Sequence, residues 1–278
     1  MGHEVALSDY GMTRFRSVLA KSLLSLLFIL PLIFPSSTIA GADGMDAKDC
    51  EFNTNIPTVF TGMTMPMETK ETGKFIVYMS GPMNAKKSVL MFHEWWGMNP
   101  HIKGIADQFG KAGYAAYVLD LYDGRVTDNP EKAGEYMKMV DPATAMAKVK
   151  TTMAFIKKNH KKVATLGWCF GGGYSLKTSL AEPVDATVIY YGELETDPKV
   201  LAKLKGPVLG IFAKQDKWIT PEKVTAFEKA AKTAGVKYEG KMYDADHAFA
   251  NPSNVKFMQD AAKDAWSLTL KFIEKNLK

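Results

Sequence analysis

The chain has 278 residues, 46% of them hydrophobic, with 35 basic against 30 acidic side chains. That length allows two average domains or one α/β domain with a large core. The net charge of +5 is spread over lysines along the whole chain, which leaves no basic stripe of the kind that binds nucleic acid.

Residues 1–40 have the layout of a targeting segment. Arg14, Arg16 and Lys21 form a basic start, residues 23–34 an apolar run of about a dozen, and Thr38-Ile39-Ala40 a small-x-small cleavage signal. Cleavage after Ala40 is expected, with Met12 as a possible true initiator and a periplasmic or secreted product. The other reading is a retained anchor, although the run is shorter than the roughly 20 residues that span a bilayer and contains Pro31. Residues 41–57 are polar and read as an arm. They include Cys50, whose polar surroundings argue against a disulfide with the only other cysteine, Cys169.

From residue 58 onward one domain is expected. Residues 61–68 and 74–80 read as antiparallel strands about a Glu71-Thr72-Gly73-Lys74 turn. Met63, Met65 and Met67 recur at period two, which suggests a strand face before it suggests a copper(I) site. Residues 88–92 (SVLMF) form a continuous apolar run, as in a parallel strand covered on both faces, and lead into His93-Glu94-Trp95-Trp96-Gly97. A helix over 100–111 and a strand over 114–119 follow, the latter emptying into Asp120-Leu121-Tyr122-Asp123-Gly124-Arg125. Residues 126–140 read as a polar loop with a helical tail and 142–159 as a helix opened by Pro142. Strands over 186–191, 208–213 and 238–243 alternate with helices over 170–180, 221–233 and 254–276. Such alternation implies an α/β fold with a mostly parallel central sheet and helices on both faces.

Residues 163–175 (VATLGWCFGGGYS) carry the chemistry. A strand breaks at Gly167-Trp168-Cys169-Phe170-Gly171 and a helix opens at once, the pattern of an α/β-hydrolase nucleophile elbow with Cys for Ser. Asp216 lies just after the strand over 208–213 and His247 shortly after that over 238–243, so Cys169, Asp216 and His247 follow the order nucleophile, acid, base. A thiol needs a base to become a thiolate, which is the role of His247, and Asp216 would hold the imidazole tautomer. Asp244 and Asp246 are rival acids, poorly placed for Nδ1 so close to His247 in sequence. No metal or cofactor is implied, and His93-Glu94 is no zinc signature because Gly97 stands where a second His would.

The chain resembles the dienelactone hydrolase (carboxymethylenebutenolidase) family in His93-Glu94-Trp95-Trp96-Gly97-Met98-Asn99, Gly113-Tyr114-Ala115-Ala116, Asp120-Leu121-Tyr122, the elbow, Tyr190-Tyr191-Gly192, the Asp216 loop and His247-Ala248-Phe249. The resemblance implies hydrolysis of a small ester or lactone through an acyl-thioenzyme. It implies that Glu94 lies against the resting thiol and that the backbone N–H groups of Trp95 and Phe170 form the oxyanion hole. It also places Tyr122, Tyr190, Arg125 and Asn251 around the substrate. Where the family holds a substrate carboxylate with two arginines, this chain offers Arg125 and, in the second place, Asn251. A catalytically idle scaffold with a binding role is the alternative.

Overall fold

The computed structural model describes residues 54–278. The targeting segment, Cys50 and most of the polar arm lie outside the described residues. Eight strands form one sheet: β1 (Met63–Thr69), β2 (Gly73–Ser80), β3 (Lys87–Phe92), β4 (Ala115–Leu119), β5 (Lys162–Trp168), β6 (Ala186–Tyr190), β7 (Val208–Ala213) and β8 (Tyr238–Tyr243). Their spatial order is β1-β2-β4-β3-β5-β6-β7-β8. The β1–β2 and β2–β4 pairs are antiparallel, and every pairing from β4 to β8 is parallel.

The continuous apolar strands are covered on both sides. In β3, Val89 and Met91 face a layer containing Ile102, Ile105 and Phe109 of α1 (Pro100–Lys111) with Trp266 and Ile273 of α7 (Gln259–Asn276). Leu90 and Phe92 point the other way, toward Val149, Met153 and Ile156 of α3 (Pro142–Asn159). A third cluster packs Val224 and Phe227 of α6 (Pro221–Thr233) on Ile189 and Phe212. Each such side chain withdrawn from water stabilises the fold by about 1.5–3 kcal/mol. Met65 and Met67 join Phe75 and Val77 in the α3 layer, as expected of a methionine-lined strand face.

Several boundaries differ from expectation for local reasons. β1 starts at Met63 because the N–H groups of Thr61 and Gly62 donate to the Asp107 carboxylate of α1 instead of to a strand neighbour. The helical tail expected within residues 126–140 takes up most of that segment as α2 (Pro130–Met139), capped by the Asn129 side chain, in which only Ala133 is fully buried. A short α5 (Pro198–Leu201) was not foreseen. The last helix begins at Gln259, five residues later than expected, because residues 248–258 form successive turns: Asn251 N–H donates to Ala248 O, Asn254 N–H to Asn251 O and Phe257 N–H to Asn254 O. Those turns fix Asn251 beside the strand ends. Among the described residues no helix is long and apolar enough to cross a membrane.

Candidate active site

Between β5 and α4 (Phe170–Ala181) the chain turns at a single residue, Cys169, which adopts φ 54° and ψ −119°. A non-glycine residue held there stores roughly 1–3 kcal/mol of strain, sustained only if the surroundings fix it. They do so through close backbone approach. A Cβ on Gly167 would stand 2.0 Å from Gly171 O, and one on Gly171 would stand 2.3 Å from Phe92 O and 2.5 Å from His93 O. Only glycines let β5, the end of β3 and the start of α4 meet this closely. The consequence is a half-buried, free thiol at the carboxyl edge of the sheet, directly before the N-terminus of α4. Phe170, as the first helical residue, has an N–H with no acceptor inside the helix.

His247 Nε2 lies 3.1 Å from Cys169 Sγ, and its Nδ1 lies 2.6 Å from Asp216 Oδ2. Asp216 itself is only 4% exposed. Its second oxygen accepts from the N–H groups of Trp218 (2.8 Å) and Ile219 (3.0 Å). Burial alone would raise this carboxyl, but the hydrogen bond and charge of His247, with those two N–H donors, hold it below the ordinary carboxylate range. Burial likewise opposes the charged imidazole, yet the bonds to Asp216 and Cys169 prevail and push its pKa up to about 10. The rival acids are engaged elsewhere, Asp244 with Gln215 and Asp246 with Lys256.

The loop after β3 lies against the elbow. His93 is fully buried, its ring stacked on Phe170 and set edge-on to Tyr122. Its Nδ1 lies 2.6 Å from Glu94 O, while Nε2 accepts from Leu121 N–H at 3.1 Å. The acceptor role at Nε2 places the proton on Nδ1, so His93 is a neutral tie between the two loops. Burial keeps its pKa below the usual value. Gly97 N–H closes the turn on Glu94 O at 3.2 Å, which places Trp95 at its bend. The Glu94 carboxylate accepts from Asn251 Nδ2 and from Tyr191 Oη at 3.4 Å. Burial pushes it up to about 7, against the lowering by the charge of His247 and by those two hydrogen bonds.

The expected substrate residues fall into different places. Asn251 is 1% exposed and holds Glu94, so it fixes that carboxylate instead of standing open to a ligand. Glu94 was expected against the thiol, yet its hydrogen bonds run to Asn251 and Tyr191 and that of the sulfur runs to His247. Arg125 Nη1 donates to Tyr122 O at 3.1 Å, sits 3.7 Å from Asp123 and lies over the Tyr136 ring, in a cleft of about 180 Å³ that Lys148 and Thr144 also line. Tyr122 packs on Phe170, its pKa is raised by burial and by the charge of Cys169, and its hydroxyl is buried with no hydrogen-bond partner among the described residues. Tyr190 corrects an expectation. Its hydroxyl bonds Thr269 of α7 at 2.7 Å in the core, and the residue facing the site is Tyr191, turned by φ 36° so that its ring lies 5.1 Å from His247. Sequence reasoning also passed over His93 and Trp218, whose ring lies 5.1 Å from that of His247. For His93 the available signal was a histidine closing an apolar strand.

A mostly parallel eight-stranded sheet flanked by helices, with a strained turn at Cys169 after β5 and with Asp216 after β7 and His247 after β8 at the same edge, has the α/β-hydrolase fold. Residues 75–277 match the Dienelactone hydrolase family, and the chain belongs to it. It is 31% identical over 216 residues to "Protein usf" of Aquifex pyrophilus, covering 72% of this chain and 93% of that one. It is 30% identical over 217 residues to a "Putative carboxymethylenebutenolidase" of Aquifex aeolicus (strain VF5), with the same 72% and 93% coverage. In fold it is similar to a dienelactone hydrolase-like promiscuous phosphotriesterase from metagenomic libraries, at a TM-score of 0.68 and 19% identity over 78% of this chain and 98% of that one.

Proposed function

We propose that the protein is an exported hydrolase of small esters or lactones that works through an acyl-thioenzyme on Cys169. The observation that carries this reading is the continuous chain from Asp216 Oδ2 through His247 to Cys169 Sγ, at 2.6 and 3.1 Å, set on a strained turn at the sheet's carboxyl edge. His247 takes the proton of Sγ, and the sulfur attacks the ester carbonyl carbon. The carbonyl oxygen becomes an oxyanion received by the N–H groups of Phe170 and Trp95. Collapse of this intermediate breaks the bond to the alcohol oxygen, which leaves with the proton held by His247. A water then gives its proton to His247 and attacks the thioester, releasing the acid and restoring the thiol. Asp216 keeps Nδ1 protonated throughout and stabilises the imidazolium.

Export rests on residues 1–40 alone. The test is pre-steady-state hydrolysis of p-nitrophenyl acetate by the mature chain. A product burst that iodoacetamide abolishes is expected, and hydrolysis indifferent to alkylation contradicts the reading.

A further inference from the structure

Large apolar side chains exposed at an enzyme's surface are ordinarily unremarkable singly, but Trp218 is held in place by the same carboxylate that orients His247. Its N–H donates to Asp216 Oδ1 at 2.8 Å, and its carbonyl accepts from Lys223 Nζ at 2.8 Å. The main chain is therefore anchored on both sides of the residue while its indole remains 65% exposed. That ring meets the His247 imidazole edge-on, with centroids 5.1 Å apart and planes at 67°. Resting on the function proposed above, we infer that Trp218 is the wall of the alcohol-side subsite and selects flat leaving groups such as aryl alcohols.

His247 must hand its proton to the leaving oxygen, so the alcohol part of the substrate has to lie within hydrogen-bond reach of the imidazole. A group packed on that imidazole and open to solvent borders the alcohol's position. An indole face there gains offset or edge-on contact with a planar ring and nothing comparable with a puckered one. An anionic alcohol has no partner on the Trp218 ring, and Arg125 is engaged with Tyr122 O and Asp123.

The test compares phenyl acetate with cyclohexyl acetate, which form the same acetyl-enzyme and differ in the flatness and in the leaving ability of the alcohol. The ratio of their kcat/KM values in Trp218→Ala is divided by that in wild type, so that intrinsic ester reactivity cancels. A fall of about two- to twelvefold is expected, the range an aromatic pair supplies, lying mainly in KM for the phenyl ester and largely restored in Trp218→Phe. Equal loss on both esters would make Trp218 a mere prop for His247 and overturn the inference. Phenol binding to Cys169→Ala, measured by equilibrium dialysis, needs no chemistry and separates this inference from the proposed function. Adding Trp218→Ala to that variant should weaken phenol about twofold or more, and unchanged affinity overturns the subsite whether or not wild type hydrolyses esters.

Discussion

Asp216→Asn tests the acid–base chain at a point where the structure dictates what the substitution must do. Oδ1 of Asp216 accepts two backbone N–H groups, from Trp218 at 2.8 Å and Ile219 at 3.0 Å. An asparagine must keep its oxygen on that side, because an NH2 group there would face two donors. The amide nitrogen is thereby forced toward His247 Nδ1, now 2.6 Å from the carboxylate. Nδ1 must then accept, and the imidazole proton moves to Nε2, which faces Sγ and can no longer take the thiol proton. The carboxylate that, together with Cys169, raises the His247 pKa is lost as well. Removing the charge and locking the wrong tautomer should together lower kcat/KM for p-nitrophenyl acetate by about 10³- to 10⁴-fold, or roughly 4–5.5 kcal/mol in the transition state. The fold should persist, since size and both backbone hydrogen bonds are retained. A loss under about tenfold, or an equal loss in Asp244→Asn or Asp246→Asn, would refute the assignment of Asp216.

Glu94→Gln should stabilise the protein only at higher pH. The folded carboxyl is raised from 4.5 to about 7, so wild type suffers no penalty below pH 4.5 and loses stability as pH rises through 7, by at most roughly 3 kcal/mol. Thermal melts of both proteins from about pH 4 to pH 9 check this, and a gap in Tm that does not widen with pH contradicts it. Arg125→Ala should change the acidic-to-neutral lactone ratio of kcat/KM by less than about threefold, because the guanidinium is half-exposed and already engaged with Asp123 and Tyr122 O. A collapse of that ratio would show that Arg125 swings into the site. Gly171→Ala should cost more than about 3 kcal/mol in denaturant titration, since the new Cβ meets backbone oxygens of Phe92 and His93 that cannot yield. Wild-type stability would mean the elbow is looser than described.

The elbow was legible because its cause is local: two glycines on either side of one residue, between a strand and a helix, admit few other geometries. The position of Asp216 was legible after the apolar run of β7, and that of His247 after β8, a polar edge strand recognisable only from its place in the alternation of strands and helices. The misread parts depend on contacts distant in sequence. Strand alternation gives no means of choosing between Tyr190 and Tyr191, since the choice turns on φ 36° at Tyr191 just past the end of β6 and on Thr269 reaching in from α7. Asn251 stands as a substrate position through the family resemblance, yet its partner Glu94 lies 157 residues away in the chain. The late start of α7 follows from asparagine-centred turns that keep the backbone out of helix, a competition between side chain and helix that periodicity does not register.

The central claim is that Cys169 carries the acyl group. Incubating the mature protein with p-nitrophenyl acetate, quenching in acid during the burst and mapping peptides by mass spectrometry tests it directly. The account predicts a single acetyl group on the peptide containing Cys169, present in wild type and absent in Cys169→Ala, which no longer turns over. An acetyl group found on another residue, or turnover in Cys169→Ala at more than about a tenth of the wild-type rate, would contradict it.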